Sequence, residues 1–272
     1  MADILRTVFL SVGGCLLAAA PLAADQAVTV WNHAYQENYA ADALDDIRAE
    51  ARDAYILLDP FAEDIGADPA PLVAALKGRG NQVGAYISIG TAEDWRADFG
   101  ALQPYVVKEQ WGAWAGEYFI SNTSQQVLTT MQARIDRIAA WGFDWVEFDN
   151  MDWAFDDDHR ATYGISATDE QAIGYFNALC AHVRARGMRC MAKSTVEGTQ
   201  GFDGVTYESY PDEMDWWDSD GMRAFLAAGK LVVVVHYDET DCDGVRAAYQ
   251  ATYGAGVSFI CEDRRLQRYL RY

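Results

Sequence analysis

Positive charge is scarce in this chain. There are 21 Lys and Arg against 41 Asp and Glu, a formal net charge of −20 over 272 residues. So acidic a protein repels a phosphate backbone, which argues against nucleic acid as a partner. An acidic surface would suit a cationic partner such as an amino-sugar polymer, although solubility or salt adaptation explains the charge more simply. Histidine is sparse as well. His33, His159, His182 and His236 are scattered and no strand carries His-x-His, which disfavours a histidine-based metal hydrolase. There is no Gly-x-Ser-x-Gly elbow, no phosphate loop ending in Gly-Lys-Ser/Thr, and no Gly-x-Gly-x-x-Gly after the first strand. A carbohydrate esterase or deacetylase lacks the serine or the histidine–aspartate metal set it would need. Asp156-Asp157-Asp158 has no ligand spacing and is expected to be a solvated loop, so neither metal nor cofactor is expected.

Long apolar runs are also lacking beyond the N-terminus, so no membrane span is expected. At the N-terminus, Arg6 precedes an apolar run from Thr7 to Leu17, followed by Ala18-Ala19-Ala20-Pro21-Leu22-Ala23-Ala24. That is the layout of a secretory signal. The expectation is a signal over residues 1–24 and a single domain over 25–272, secreted or periplasmic and monomeric. Val12-Gly13-Gly14-Cys15 offers a lipoprotein-type anchor as the alternative. Of the five cysteines, Cys15 lies in this segment. Cys242 and Cys261 flank the last helix, and a bridge between them and two free thiols are both open readings. Cys180 and Cys190 lie on a helix and the following strand. A layer spacing of roughly 10 Å exceeds what a disulfide tolerates, so buried thiols are expected there.

Hydrophobic residues make up 51% of the chain, enough for a full core. Strand-like and helix-like segments alternate without a break in composition. The strand candidates are Val28–Trp31, Ala54–Asp59, Gln82–Ile89, Tyr118–Ser121, Trp145–Asp149, Met188–Lys193, Val205–Glu208, Leu231–Tyr237 and Val257–Cys261. Helices are expected near Pro71–Leu76, from Ser124 to Trp141 with Val127, Leu128, Met131, Ile135 and Ile138 on one face, and from the Thr168/Gln171 capping box to Gly187. Repeated β-then-α units imply parallel pairing. A (β/α)8 TIM barrel needs eight strands, so one of the nine candidates is accessory. Polar residues close nearly every strand, and Asp59, Ser88, Asp149, Lys193, Glu208 and Tyr237 are expected to converge on the C-terminal rim, where barrel enzymes keep their chemistry.

The chemistry that remains is that of carboxylates. Gly142-Phe143-Asp144-Trp145-Val146-Glu147-Phe148-Asp149-Asn150 alternates apolar residues with acids and ends in Asp-Asn. About sixty residues later, Gly204-Val205-Thr206-Tyr207-Glu208 ends in a second acid. Two carboxyls in different environments can supply the acid and the nucleophile of glycoside hydrolysis. Asp149, beside Asn150 and Lys193, is expected to stay anionic, and Glu208, between Tyr207 and Tyr210, to have an apolar setting that keeps its proton. Aromatics lie near the same places: Trp31, Tyr35, Tyr86, Trp95, Trp111, Trp114, Trp153, Trp216 and Trp217. Trp153 and Trp216-Trp217 are the best candidate sugar platforms.

Several dispersed motifs, in order, resemble one family. Tyr86-Ile87-Ser88-Ile89-Gly90-Thr91-Ala92-Glu93-Asp94-Trp95-Arg96-Ala97-Asp98 is similar to the tyrosine–glycine–glutamate–arginine signature of the endo-α-1,4-polygalactosaminidases, glycoside hydrolase family 114. Gly116-Glu117, Arg134, Asp149-Asn150-Met151-Asp152, Lys193, Glu208 and Asp263-Arg264 with Leu266 follow in the family's order. The resemblance implies a (β/α)8 barrel that hydrolyses internal α-1,4 bonds of galactosamine polymers without a metal, and the Asp/Glu pair is expected to act with retention. It also implies Asp149 as nucleophile, Glu208 as acid/base, and Asp59, Tyr86, Glu93 and Arg96 along the cleft. Asn150, Trp153, Lys193 and Tyr237 complete the expected substrate-binding set. The chain departs from the family at Phe148 (usually proline), Ser194 (asparagine), Ser209-Tyr210 (Gln-Cys) and Ser121 (aspartate). A polysaccharide-binding barrel that has lost catalysis is the alternative.

Overall fold

Strand and helix alternate from Val30 onward in the computed structural model, which describes residues 27–35, 43–110, 114–121, 124–237, 239–262 and 269–271. The expected signal, Trp111 and the Asp263-Arg264-Leu266 motif lie outside these residues. The first elements are β1 (Val30–His33), α1 (Ala43–Glu50), β2 (Tyr55–Leu58), α2 (Ala70–Lys77) and β3 (Gln82–Ser88). An excursion follows: β4 (Thr91–Glu93), α3 (Phe99–Leu102), β5 (Val106–Gln110) and β6 (Glu117–Ile120). The alternation resumes with α4 (Gln125–Ala140), β7 (Trp145–Asp149), α5 (Asp157–Tyr163), α6 (Asp169–Ala185), β8 (Arg189–Lys193) and β9 (Gly204–Ser209). It ends with α7 (Ser219–Ala227), β10 (Leu231–His236), α8 (Cys242–Tyr253), β11 (Val257–Glu262) and β12 (Tyr269–Arg271).

Eight parallel strands form the barrel in the order β1-β2-β3-β7-β8-β9-β10-β11, and β12 adds to β11 antiparallel. The barrel nearly closes where β1 returns to β11. There the Val28 N–H donates to Ser258 Oγ at 3.0 Å, and Asn32 Nδ2 donates to Glu262 Oε1 at 2.7 Å. The accessory strand among the nine expected is Tyr118–Ser121. It falls in a separate antiparallel sheet of order β4-β6-β5, whose other two strands the sequence pattern did not disclose.

Two apolar clusters divide the molecule. Inside the barrel lie Tyr55, Leu57, Tyr86, Trp145, Met191, Val233, Val235 and Ile260; the larger cluster fills the space between barrel and helices. Gly84 is needed inside, because a Cβ there would collide with the Tyr55 hydroxyl that fills the interior. On the outer layer, Val127, Met131, Ile135 and Ile138 of α4 are fully buried at helical spacing. Each such side chain contributes about 1.5–3 kcal/mol on leaving water. Ser124 caps α4 by accepting from the Gln126 N–H at 3.1 Å, and Thr168 with Gln171 makes both halves of a capping box on α6. The acidic run is not a loop. Asp156 caps α5 by accepting from the His159 N–H at 2.7 Å, and Asp157 and Asp158 form the first turn, where carboxylates complement the helix dipole.

The cysteine expectation for Cys180 and Cys190 is corrected. They form a disulfide with their Cα atoms 5.4 Å apart. The layer spacing is measured between element axes, and the radius of a helix brings its inward face closer to the sheet by about 2.3 Å. Cys242 and Cys261 are also bridged, 5.9 Å between Cα atoms, tying the start of α8 to β11. Replacing both Cys242 and Cys261 by serine is expected to cost about 3 kcal/mol, because the bond closes a loop with a separation of 19 residues. Urea unfolding of the double variant checks this, and an unchanged midpoint would show that the bond adds nothing in solution.

Candidate active site

Strand alternation selects which side chains enter the barrel. On β7, Trp145, Glu147 and Asp149 point inward, whereas Val146 and Phe148 face the helices. Parallel register then sets Ser88 of β3 beside Asp149, and Thr206 of β9 beside Lys193 of β8. The result is a compact charged centre at the ends of β7, β8 and β9. The Lys193 ammonium lies 2.9 Å from Asp149 Oδ1 and 2.9 Å from Glu208 Oε2. Asp149 also accepts from the Asn150 N–H at 2.7 Å and, through Oδ2, from the Tyr86 hydroxyl at 2.8 Å. Tyr237 donates its hydroxyl to Glu208 Oε1. Burial opposes the charge of Lys193, but Asp149, Glu208 and Glu147 outweigh it and hold its pKa above the ordinary lysine range. Burial, and after it the neighbouring carboxylates, keep the Tyr86 and Tyr237 hydroxyls protonated and able to donate. Asp149 and Glu208 retain 14% and 21% of their side-chain surface, so both can meet a ligand in the cleft.

Beside this centre runs a buried ion-pair chain. Arg96 donates to both oxygens of Asp59, at 3.0 and 2.7 Å, and to Glu93 at 2.7 Å. Arg134 of α4 then links Glu93, at 3.4 Å, to Asp98, which it grips with two bonds of 2.8 Å. Burial raises the pKa of Asp59 despite Arg96, while burial of Arg96 is outweighed by Glu93 and Asp59, which raise its pKa. Asn150 ties the end of β7 to β3 and β6. Its Nδ2 donates to Ser88 Oγ at 2.9 Å and to Glu117 Oε1 at 3.0 Å, and Thr91 donates to the same carboxyl. Asn150 and Ser194, the residues that directly follow Asp149 and Lys193, have φ of 58° and 57°. Asparagine tolerates this left-handed region better than serine does.

The structure thus brings Asp149, Glu208, Lys193, Tyr86, Tyr237 and Asn150 together, with Asp59, Glu93 and Arg96 alongside. The expected apolar setting of Glu208 is not found. Tyr207, its neighbour in sequence, points to the opposite face, where its ring lies 4.2 Å from that of Trp216. Trp216 is accordingly core, while Trp217 and Trp95 are more than half exposed. Trp153 sits on a helical turn at Asp152–Phe155, and its side chain lies outside what the structure describes. The sequence reading left Glu147 without a role, although it stands two residues before Asp149 on the same face of β7. The two-residue spacing of Glu147 and Asp149 was its only signal.

A barrel with a pair of carboxylates at the C-terminal ends of its strands is the arrangement that barrel glycoside hydrolases use. The model of glycoside-hydrolase family GH114 matches residues 20–272, and the chain belongs to that family. Similar folds include Ega3 of Aspergillus fumigatus, solved in complex with galactosamine: 21% identity, 96% of this chain and 100% of that chain, TM-score 0.71. The glycoside hydrolase domain of PelA from Pseudomonas aeruginosa is similar at 16% identity, 90% of this chain and 97% of that chain, TM-score 0.64. TtGalA, an α-galactosidase from Thermus thermophilus, is similar at 15% identity over 89% of this chain and 59% of that chain, TM-score 0.56. No curated protein matches the sequence.

Burial, and then the carboxylate of Glu93, pushes Glu117 up to about 7 from an ordinary 4.5. Between those pH values the folded protein holds a proton that the unfolded chain has released, so this carboxyl costs stability as pH rises. The cost is about 1.4 kcal/mol per pH unit across that window. Glu117→Gln is therefore expected to gain stability relative to the wild type as pH rises from 4.5 to about 7. Thermal melts of both proteins across that range check this, and parallel profiles would mean that Glu117 does not titrate there.

Proposed function

We propose that this protein is a secreted hydrolase that cleaves internal α-1,4 bonds in galactosamine-containing polysaccharide with retention of configuration. Asp149 is the nucleophile and Glu208 the acid/base. The observation that carries the reading is the shared ammonium. Asp149 Oδ1 and Glu208 Oε2 each lie 2.9 Å from Lys193 Nζ, so those two oxygens are within twice that distance of each other. Retaining enzymes hold their carboxyls roughly 5–5.5 Å apart, whereas inverting enzymes need roughly 6.5–9.5 Å to admit a water. Family membership and the galactosamine bound to Ega3 support the substrate class. The net charge of −20 favours approach of a polycation.

In the first step Asp149 attacks the anomeric carbon while Glu208 gives a proton to the departing glycosidic oxygen. The glycosyl–Asp149 ester is then hydrolysed by water, which Glu208 deprotonates. Lys193, Tyr86 and the Asn150 N–H orient Asp149 along the barrel axis, and Tyr237 orients Glu208. Residues 1–24 direct export, which brings the protein to a polymer that does not enter cells, and one chain supplies the whole site. A sugar-binding barrel without catalysis is the competing reading. It draws support from the Lys193–Glu208 contact, which the acid must loosen to reach a leaving group.

Asp149→Asn is expected to keep polymer binding and to lower hydrolysis by about three orders of magnitude or more. Glu208→Gln should do the same for polymer yet spare the first step with nitrophenyl glycosides, whose leaving group departs without a proton, so that a burst of nitrophenolate precedes slow turnover. Oligomer release and binding, measured side by side, separate the readings. A wild type that binds partly deacetylated galactosamine polymer and releases nothing is a binding protein. An Asp149→Asn variant with full activity places the nucleophile elsewhere.

A further inference from the structure

One layer beneath the proposed pair, the barrel interior holds a third carboxyl that the proposed reaction does not use. Glu147 is completely buried. The Tyr35 hydroxyl donates to its Oε1, and Thr206 Oγ1 of β9 donates to its Oε2 at 2.6 Å. The same tyrosine turns its ring to Lys193, whose Nζ lies 4.2 Å from the ring centroid. Tyr35 therefore spans the two charges, with its hydroxyl on the carboxyl below and its face against the ammonium above. A desolvated ammonium is attracted to an aromatic face by the negative face of the ring quadrupole.

We propose that Glu147 is a positioning residue: by anchoring Tyr35 it fixes the Lys193 ammonium midway between Asp149 and Glu208. The proposal rests on the reading of that pair as catalytic. Its physical basis is that one ammonium must satisfy two carboxylates at equal range. Lys193 is a long, flexible chain, and the opposing pulls of Asp149 and Glu208 do not by themselves set its depth. A ring locked beneath it does, and that ring is locked only while its hydroxyl has a fixed acceptor.

Glu147 accepts a hydroxyl proton at each oxygen, an arrangement that suits the ionised form. On protonation one oxygen becomes a donor, the hydroxyl it meets, on Tyr35 or Thr206, must accept instead, and the charge-assisted hold on both is lost. Burial pushes Glu147 up to about 7, against the pull of Thr206, Tyr35 and Lys193. The titratable groups that face it are Tyr35 after β1, Tyr55 on β2, its register neighbour Tyr86 on β3, Asp149 on its own strand, Lys193 on β8 and Glu208 on β9. The three tyrosines are held well above their ordinary range by burial and stay neutral. The support under Lys193 thus loosens as pH falls through about 7.

The test measures kcat and KM for oligomer release from partly deacetylated galactosamine polymer between pH 5 and 9. It compares the wild type, Glu147→Gln, Tyr35→Phe and, as a control for the other high-pKa carboxyl, Glu117→Gln. Wild-type kcat should fall as pH drops below about 7, and Glu117→Gln should keep that limb. At pH 8, Glu147→Gln should lower kcat by about tenfold with KM within about twofold, and it should lose the limb. Tyr35→Phe, which keeps the ring and removes the hydroxyl, should weaken kcat in the same direction. A Glu147→Gln variant with wild-type kcat and an unchanged limb overturns the proposal, as does a Tyr35→Phe variant identical to wild type. Carboxyl and ammonium NMR of the whole protein reads the coupling without turnover. The Lys193 ammonium signal should move with the same midpoint as Glu147, and in Tyr35→Phe the movement should shrink to the part that the charge of Glu147 exerts directly. An independent Lys193 signal in the wild type overturns the positioning role even if the polymer is cleaved. Absence of cleavage with the coupling present removes only the catalytic reading.

Discussion

The ammonium of Lys193 is the charge on which the arrangement of the rim depends. It is 4% exposed, and a lone cation so deeply placed would be costly. Two carboxylates at 2.9 Å make it tolerable, and it makes them tolerable in turn. Neither Asp149 nor Glu208 could be held so near the other without it, since like charges at that range repel. The three residues come from β7, β8 and β9, consecutive in the barrel, so the sheet register itself brings the charges together. Tyr86 on β3 and Tyr237 just past β10 close the ring from either side.

Around this centre the protein buries far more charge than an apolar barrel would. Asp59, Glu93, Arg96, Arg134 and Asp98 form one continuous chain of ion pairs that runs from the rim to α4. Each pair is weak evidence for stability, because desolvation offsets much of the attraction. Their geometric effect is clearer. They fix the excursion of β4 to β6 against the barrel, and Asn150, the residue after Asp149, joins that excursion to the end of β7 through Glu117. Glu117 and Glu147, both pushed up to about 7, oppose folding at neutral pH. Positive φ at Asn150 and Ser194 adds backbone strain beside the same two strand ends. Stability given up at a site is what preorganised polar chemistry commonly requires.

Much of the fold was legible in the sequence for plain reasons. Most barrel strands are short apolar runs, the long helices carry a 3.6-residue stripe, and Ser124 and Thr168 mark helix starts by chemistry that depends on neighbours alone. The side sheet was mostly invisible. Its β4 is three residues long, and β5 carries Lys108 and Glu109, so neither offers a hydrophobic period. The Asp156 run was misread because acids at a helix start and acids in a loop have the same composition. The Cys180–Cys190 bond was missed because a mean layer spacing was applied to two residues that face each other.

By itself the sequence determined the repeating β/α units, the acids at the ends of β7 and β9, the lysine between them in chain order, and the family motifs that tie them together. These are properties of local pattern, and a strand end is a place that local pattern can mark. Only the tertiary structure decided that one ammonium serves both carboxylates, that Tyr207 turns away from Glu208 while Tyr237 reaches it, and that Glu147 lies beneath the pair with Tyr35 between it and Lys193. Those relations depend on the register of neighbouring strands and on which way each pleat faces. A shift of one residue would send every one of those side chains to the opposite side of the sheet, and no local pattern records that choice.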